Sequence, residues 1–223
     1  MEHRIKIKKI EHINHNVLHL VTDKPKGYIF KPGQATEVSI DKENWSGKKR
    51  PFTFTSLPEH KDLEFTIKVY PSHHGVTEQL EQLQVGDHLL IGDAWGAINY
   101  IGPGTFIAGG AGITPFIAIF KDLLQKDALE GNSLFFGNQK EKDIIYKNRL
   151  EAWLGDALHI ALSEEQHEDY HKGFIDKAFL ERNKVEVSEP VYLCGPPAMM
   201  EALQTDLYEM GMPKSVLVTE DLQ

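Results

Sequence analysis

A change of rhythm near residue 102 limits the folds open to this chain more than any other feature. From residue 4 to 91 the sequence runs in short alternating or β-branched stretches, RIKIKKI, VLHLVT, ATEVSI, PFTFTS, LEFTIKVY and HLLIG. Turn signals (KPKG, KPGQ, WSGKK, LPEHKD, VGD) separate them. Strands this short, spaced this regularly, predict an antiparallel sandwich or barrel. Only GVTEQLEQL, near Gly75 to Leu83, carries helical spacing there. From about residue 104, apolar runs alternate with helical patterns. TFIAG precedes PFIAIFKDLLQK, NSLFFG precedes KDIIYKNRLEAWL, ALHIALS precedes IDKAFLERN, PVYLCG precedes PAMMEALQTDLYEMG, and SVLVT comes last. That pattern predicts a parallel sheet with helices on both faces. Gly and Pro punctuate the segment Tyr100-Ile101-Gly102-Pro103-Gly104 between the two rhythms. Two domains are expected, residues 1–102 and 103–223.

Composition removes several function classes. Asp plus Glu number 33 against 24 Lys plus Arg, a formal charge of -9, so no global basic field exists to hold a nucleic-acid backbone. The single cysteine, Cys194, cannot form an intramolecular disulfide, a Cys-rich zinc site or a four-thiolate iron-sulfur centre. The charged start MEHRIKIKKIEHINHN is unlike a signal peptide, and no 18-residue apolar run is present. A cytoplasmic protein with no metal site is the expectation.

Three segments carry chemistry. In Phe106-Ile-Ala-Gly109-Gly110-Ala111-Gly112-Ile113-Thr114-Pro115 an apolar strand runs into glycines, with Pro115 where a helix would begin and Thr114 placed as its N-cap. That geometry aims a helix N-terminus at an anion such as a pyrophosphate. A plain glycine-rich turn would read the same way. In Arg50-Pro51-Phe52-Thr53-Phe54-Thr55-Ser56, alternation sets Phe52 and Phe54 on one face and Thr53 and Thr55 on the other. An Arg beside hydroxyls and a ring suits a ligand with both a phosphate and a flat ring system, and an ordinary barrel strand fits equally. Tyr192-Leu193-Cys194-Gly195-Pro196-Pro197 puts a thiol at the carboxyl end of a parallel strand, the edge where open α/β sheets bind ligands.

Taken together and in order, RPFTFTS, HHGVTEQL, GGAGITP and CGPP resemble the ferredoxin-NADP reductase-like flavoproteins, which include flavodoxin reductases and oxygenase reductase components. The resemblance implies a flavin-binding antiparallel barrel followed by an α/β nicotinamide-dinucleotide domain. It implies FAD, with FMN the lesser choice, and NADH or NADPH as co-substrate. Hydride would pass from nicotinamide C4 to flavin N5, and single electrons would then leave to a separate ferredoxin, flavodoxin or oxygenase component. Residue by residue, Arg50 and Pro51 would lie at the flavin's phosphates and Phe52 against its ring, with the Thr53 hydroxyl on N5. Lys68, Val69 and Tyr70 would line the isoalloxazine, Tyr70 also offering an adenine platform. Gly75, Val76 and Thr77 would serve the flavin pyrophosphate, and Thr77 would also cap the helix that follows. Gly110, Gly112, Thr114 and Pro115 would hold the dinucleotide, while Cys194, Gly195 and Pro196 would border the nicotinamide. Thr53, Cys194 and Glu220 are the candidate catalytic set.

The chain departs from the family pattern in places. Phe52 stands where Tyr is commoner, His74 where many members have glycine, and Leu222-Gln223 where many end in an aromatic residue. Ser163-Glu164-Glu165 would repel a 2'-phosphate, which favours NADH, although Lys140 and Lys142 lie within reach in sequence. Lys6, Lys8, Lys9, Lys48 and Lys49 are the candidate basic patch for an acidic electron acceptor. Two other readings share these residues: a non-catalytic nucleotide-binding subunit or regulator of a redox complex, and a nicotinamide enzyme without flavin.

Overall fold

Alternation in the first half folds into six strands: β1 (His3–Asn14), β2 (Val17–Asp23), β3 (Ala35–Ile40), β4 (Arg50–Thr53), β5 (Asp62–Lys68) and β6 (His88–Ile91). The computed structural model describes residues 1–70, 75–96 and 98–219. The sheet order is β4-β3-β6-β1-β2-β5, and each neighbouring pair is antiparallel. β1, 12 residues long, pairs with both β6 and β2 and carries register shifts between Ile7 and Lys9 and between His12 and Asn14. Such irregularities bend a strand and raise its twist. The curled sheet meets itself where Phe54 bridges Phe65 and the Thr55 amide donates to the Glu64 carbonyl at 2.8 Å. The first half is therefore a barrel, and the sandwich alternative falls away. Its interior is filled by side chains such as Ile5, Leu20, Phe54 and Phe65, all fully buried. The helix α1 (Val76–Leu80) closes one end with Val76 and Leu80. It is shorter than its pattern suggested. Its N-cap is Gly75 with no side-chain cap, so Thr77 lies inside the first turn and does not cap it.

The second half alternates as expected: β7 (Thr105–Gly109), α2 (Thr114–Gln125), β8 (Ser133–Asn138), α3 (Lys147–Leu154), β9 (Leu158–Leu162), β10 (His171–Lys172), α4 (Lys177–Arg182), β11 (Val191–Cys194), α5 (Pro197–Glu209) and β12 (Leu217–Thr219). The order β10-β9-β8-β7-β11-β12 is parallel throughout. Phe106, Ala108, Leu134 and Phe136 point to the face covered by α2 and α3, whereas Ile107, Phe135, Val191 and Leu193 point to the face covered by α4 and α5. Burial on both faces explains why these strands read as continuous apolar runs. The two-residue β10 carried no such run and was not foreseen.

The Gly-Pro segment between the sheets is held rather than loose. The buried Tyr192 ring stacks on Phe106 at 4.2 Å. Its hydroxyl accepts from the Ile101 and Gly102 amides at 2.9 and 3.1 Å and donates to the Gly102 carbonyl at 2.7 Å. Among the described residues no helix is long and apolar enough to cross a membrane.

Candidate active site

The strand order of the second sheet reverses between β7 and β11, which leave in opposite directions to α2 and α5. Open α/β sheets bind ligands beyond the carboxyl ends of strands at such a switch point. Two loops meet there. β7 runs into a tight 3-10 turn, Gly110–Ile113, and then α2. β11 ends at Cys194 and enters α5 through Gly195 and Pro196. The glycines are forced by contact between these loops. A Cβ on Gly112 would run into the Cys194 carbonyl and the Gly195 nitrogen, and one on Gly109 into Met199 Sδ and Pro196 Cδ. Gly110 has φ +51°, and a Cβ there would stand 3.8 Å from the Nζ of Lys68 on the barrel.

The expected N-cap is not formed. Winding already starts at Gly110, so Thr114 has helical dihedrals and its hydroxyl donates back to the Ala111 carbonyl at 3.0 Å. Ile113 occupies the cap position without a side-chain bond, and α2 has Pro115 in its first turn. No side chain caps the 12-residue α2: the Thr114 amide donates to the Ala111 carbonyl of the preceding turn, and Pro115 has no N–H to offer.

The barrel supplies the opposite wall. Pro51, Phe52, Thr53, Lys68, Val69, Tyr70 and Thr77 face Gly110, Gly112, Thr114, Pro115, Cys194, Gly195 and Pro196 across one cleft of 1520 Å³. A pocket for a single drug-sized ligand is about 300–1,000 Å³, so this one has room for two. Phe52 lines the cleft while packing on the barrel core, and Thr53 lines it although only 9% exposed. Phe54 and Thr55, the other members of that motif, are buried core.

Three predicted site residues lie outside the lining. Arg50 is exposed, and its guanidinium donates to the Lys49 carbonyl at 2.8 Å. Gly75 does not line the cleft, and the Val76 side chain is 2% exposed in the barrel core. Glu220 lies outside the described residues, as do His74, Leu222 and Gln223.

Other lining residues were missed. Asn138, at the carboxyl end of β8, is buried with neither carboxamide atom hydrogen-bonded, and Asn16 Oδ1 in the β1–β2 turn is likewise unpaired. Strand-end position is the signal that could have found Asn138; a turn asparagine such as Asn16 has none. Buried polar groups left unpaired are costly, and their presence at a cleft fits a polar ligand. Together with the glycine cradle, they make a lining that suits a dinucleotide.

Three lysines, Lys68, Lys140 and Lys142, line the cleft beside four carboxylates, Asp143, Glu164, Asp176 and Asp206. Three of those carboxylates are engaged. Asp143 bonds the Lys140 amide and pairs with His15 at 3.3 Å, Asp176 caps α4 through the Phe179 amide, and Asp206 accepts from the Lys177 amide. Glu165 accepts from the Glu141 amide at 2.7 Å. Burial raises the Tyr70 phenol above its ordinary value.

Three of the five lysines of the candidate basic patch are paired with carboxylates, while Lys6 is exposed with no ion pair among the described residues. Lys8 pairs with Asp62, Lys9 with Glu11 at 2.7 Å, and Lys49 with Glu2 and Glu37 at 3.6 and 3.7 Å, while Lys48 lies over the Trp45 ring. Lys9 and Glu11 are near neighbours on β1, whereas folding brings Asp62 to Lys8 and both Glu2 and Glu37 to Lys49.

Two family matches divide the chain as the two sheets do: residues 2–92 match the FAD-binding domain and residues 106–205 the oxidoreductase NAD-binding domain. The chain belongs to the ferredoxin-NADP reductase-like flavoproteins. Relatives include the reductase component of propane 2-monooxygenase from Rhodococcus jostii, 28% identical over 95% of this chain and 61% of that protein. The electron transfer component of anthranilate 1,2-dioxygenase from Acinetobacter baylyi is 29% identical over 92% of this chain and 62% of that one. The chain thus spans about three fifths of the length of these relatives. Among solved structures, a ferredoxin NADP+ reductase from Neisseria gonorrhoeae with bound FAD and NADP superposes with a TM-score of 0.85 at 18% identity, covering 98% of both chains. The likeness shows that this ferredoxin-NADP reductase-like chain shares the two-domain fold.

Proposed function

We propose that the protein is an FAD-dependent NAD(P)H reductase that oxidises a nicotinamide dinucleotide and delivers electrons singly to a separate ferredoxin, flavodoxin or oxygenase component. One observation carries the reading: a single cleft has a wall from the FAD-binding domain and a wall from the NAD-binding domain. Bound FAD would supply the chemistry, taking a two-electron hydride and releasing its electrons one at a time. The chain's own task is to bind, orient and exclude water.

Thr53 would hold the flavin's N5 edge with its hydroxyl, and Phe52 and the strand Lys68-Val69-Tyr70 would flank the ring. Thr77, with the backbone of Gly75 and Val76, would serve the flavin pyrophosphate, with Arg50 and Pro51 nearby at the phosphates. Lys68 stands beside Gly110 and is a second cation for phosphate. Gly110, Gly112, Thr114 and Pro115 would seat the dinucleotide's pyrophosphate at the start of α2. Cys194, Gly195 and Pro196 would border its nicotinamide, and Glu220 would stand near the reacting rings. The division into 1–102 and 103–223 and a cytoplasmic site of action complete the proposal.

The test is the visible spectrum of the purified protein. Flavin bands after incubation with FAD, bleached by NADH or NADPH without oxygen, are the expected result. Their absence would defeat the reading and leave a non-flavin or non-catalytic role.

NADH is the proposed preferred donor. Of the four lining carboxylates, Asp143, Asp176 and Asp206 each accept a backbone amide, whereas the Glu164 carboxylate makes no hydrogen bond or ion pair among the described residues, so it opposes a 2'-phosphate. NADH should show the higher kcat/KM, and Glu164→Gln should narrow the gap. An efficiency about tenfold higher with NADPH would reverse the assignment.

A further inference from the structure

Two side chains of the dinucleotide domain cross to the barrel and land on adjacent rungs of the ladder that closes it. Lys121, two turns beyond Thr114 on α2, donates through Nζ to the Thr55 carbonyl at 2.6 Å and pairs with Glu64 at 3.0 Å. Thr55 and Glu64 are themselves joined by a backbone bond of 2.8 Å. Tyr146, at the start of α3, brings its hydroxyl within 3.1 Å of Thr66 Oγ1, which lies 3.3 Å from Thr55 Oγ1. Tyr146 does so with φ +56°, a left-handed backbone that L side chains rarely adopt. Strain of that kind persists only where surroundings enforce it. Both anchors sit behind cleft residues: Thr55 is two residues from Thr53, and Thr66 itself lines the cleft.

We infer that Lys121 and Tyr146 are positioning residues, a clamp that fixes the spacing between the Thr53 wall and the Gly110–Thr114 wall across which hydride would pass. The inference deepens the proposed reductase reading and rests on it. α2 transmits the spacing because its first residues form the dinucleotide loop and its third turn grips the barrel. A displacement of about 1 Å between reacting groups costs on the order of a hundredfold in rate, so a bond from this helix to the ladder behind Thr53 bears on rate even though neither anchor touches a reactant.

Lys121→Met keeps the packed stem and removes the ammonium, and Tyr146→Phe removes one oxygen. In Lys121→Met, FAD content and dinucleotide Kd should hold within about threefold, while single-turnover flavin reduction slows by about tenfold to a hundredfold. Lys121→Arg should recover most of that rate. A merely stabilising role would lower the melting temperature and leave the reduction rate alone, and that result overturns the inference. Calorimetry gives a readout free of flavin chemistry. The wild-type chain should unfold in one transition and Lys121→Met in two, as the domains uncouple. A single unaltered transition in both variants overturns the clamp even if the protein carries no flavin. Where Lys121→Met fails to fold, Tyr146→Phe bears the same two measurements.

Discussion

Thr53 is nine-tenths buried and still borders the cleft, so its hydroxyl sits where water is scarce and a hydrogen bond counts for more. Thr53→Val keeps the shape and removes the hydroxyl. Flavin reduction should slow by about tenfold, equivalent to ~1.4 kcal/mol of lost transition-state stabilisation, with the melting temperature nearly unchanged; equal single-turnover rates would refute the role. Thr53 and Cys194 were legible because each stands in a motif whose order along the chain is informative. Arg50 was legible as a motif residue but not in its placement, because the direction of a long exposed side chain is not encoded by strand alternation. The Thr114 cap was misread for a local reason: the 3-10 turn begins the winding four residues early and carries Thr114 past the cap position. Asn138 was silent because its unpaired carboxamide is a property of surroundings, which only the packed sheet supplies.

At the level of elements, period-two and βα patterns gave the sheets because each rests on which faces are buried, and burial is written directly into residue type. The register did not follow from pattern, and with it came the barrel closure at Phe54 and Phe65 and the cross-strand ion pairs. The linker shows the same gap. Gly and Pro marked it as a break, yet Tyr192 pins it with three hydrogen bonds from β11 of the second sheet. Tyr192→Phe keeps the stacking on Phe106 and strands two amides. It should destabilise the folded protein by about 1–3 kcal/mol, read as a lower urea midpoint with an unchanged slope. An unchanged midpoint would mean that water replaces the hydroxyl.

The two domains are joined by charge as well as by chain. Burial alone would raise the Glu64 carboxyl, but the His19 imidazole at 3.6 Å and the Lys121 ammonium outweigh it and bring the carboxyl from 4.5 to about 2. Glu11 lies on the other side of His19 at 3.3 Å and Tyr146 packs nearby, so the interface mixes several ionisable groups. A carboxyl lowered in the folded state contributes stability that is fully present above its unfolded value and is lost as pH falls through the folded one. The cross-domain pair should therefore weaken between pH 4.5 and about 2. Urea midpoints measured across that window should fall less steeply in Glu64→Gln than in the wild type, and parallel curves would show that other carboxyls dominate. The paired lysines of the barrel have a consequence for traffic at the surface. Lys8, Lys9 and Lys49 are each cancelled by a carboxylate within a few ångströms, so their field dies well inside a Debye length of about 8 Å. These three lysines would therefore add little steering toward an acidic electron-accepting protein, and added salt would scarcely alter their share of the encounter rate.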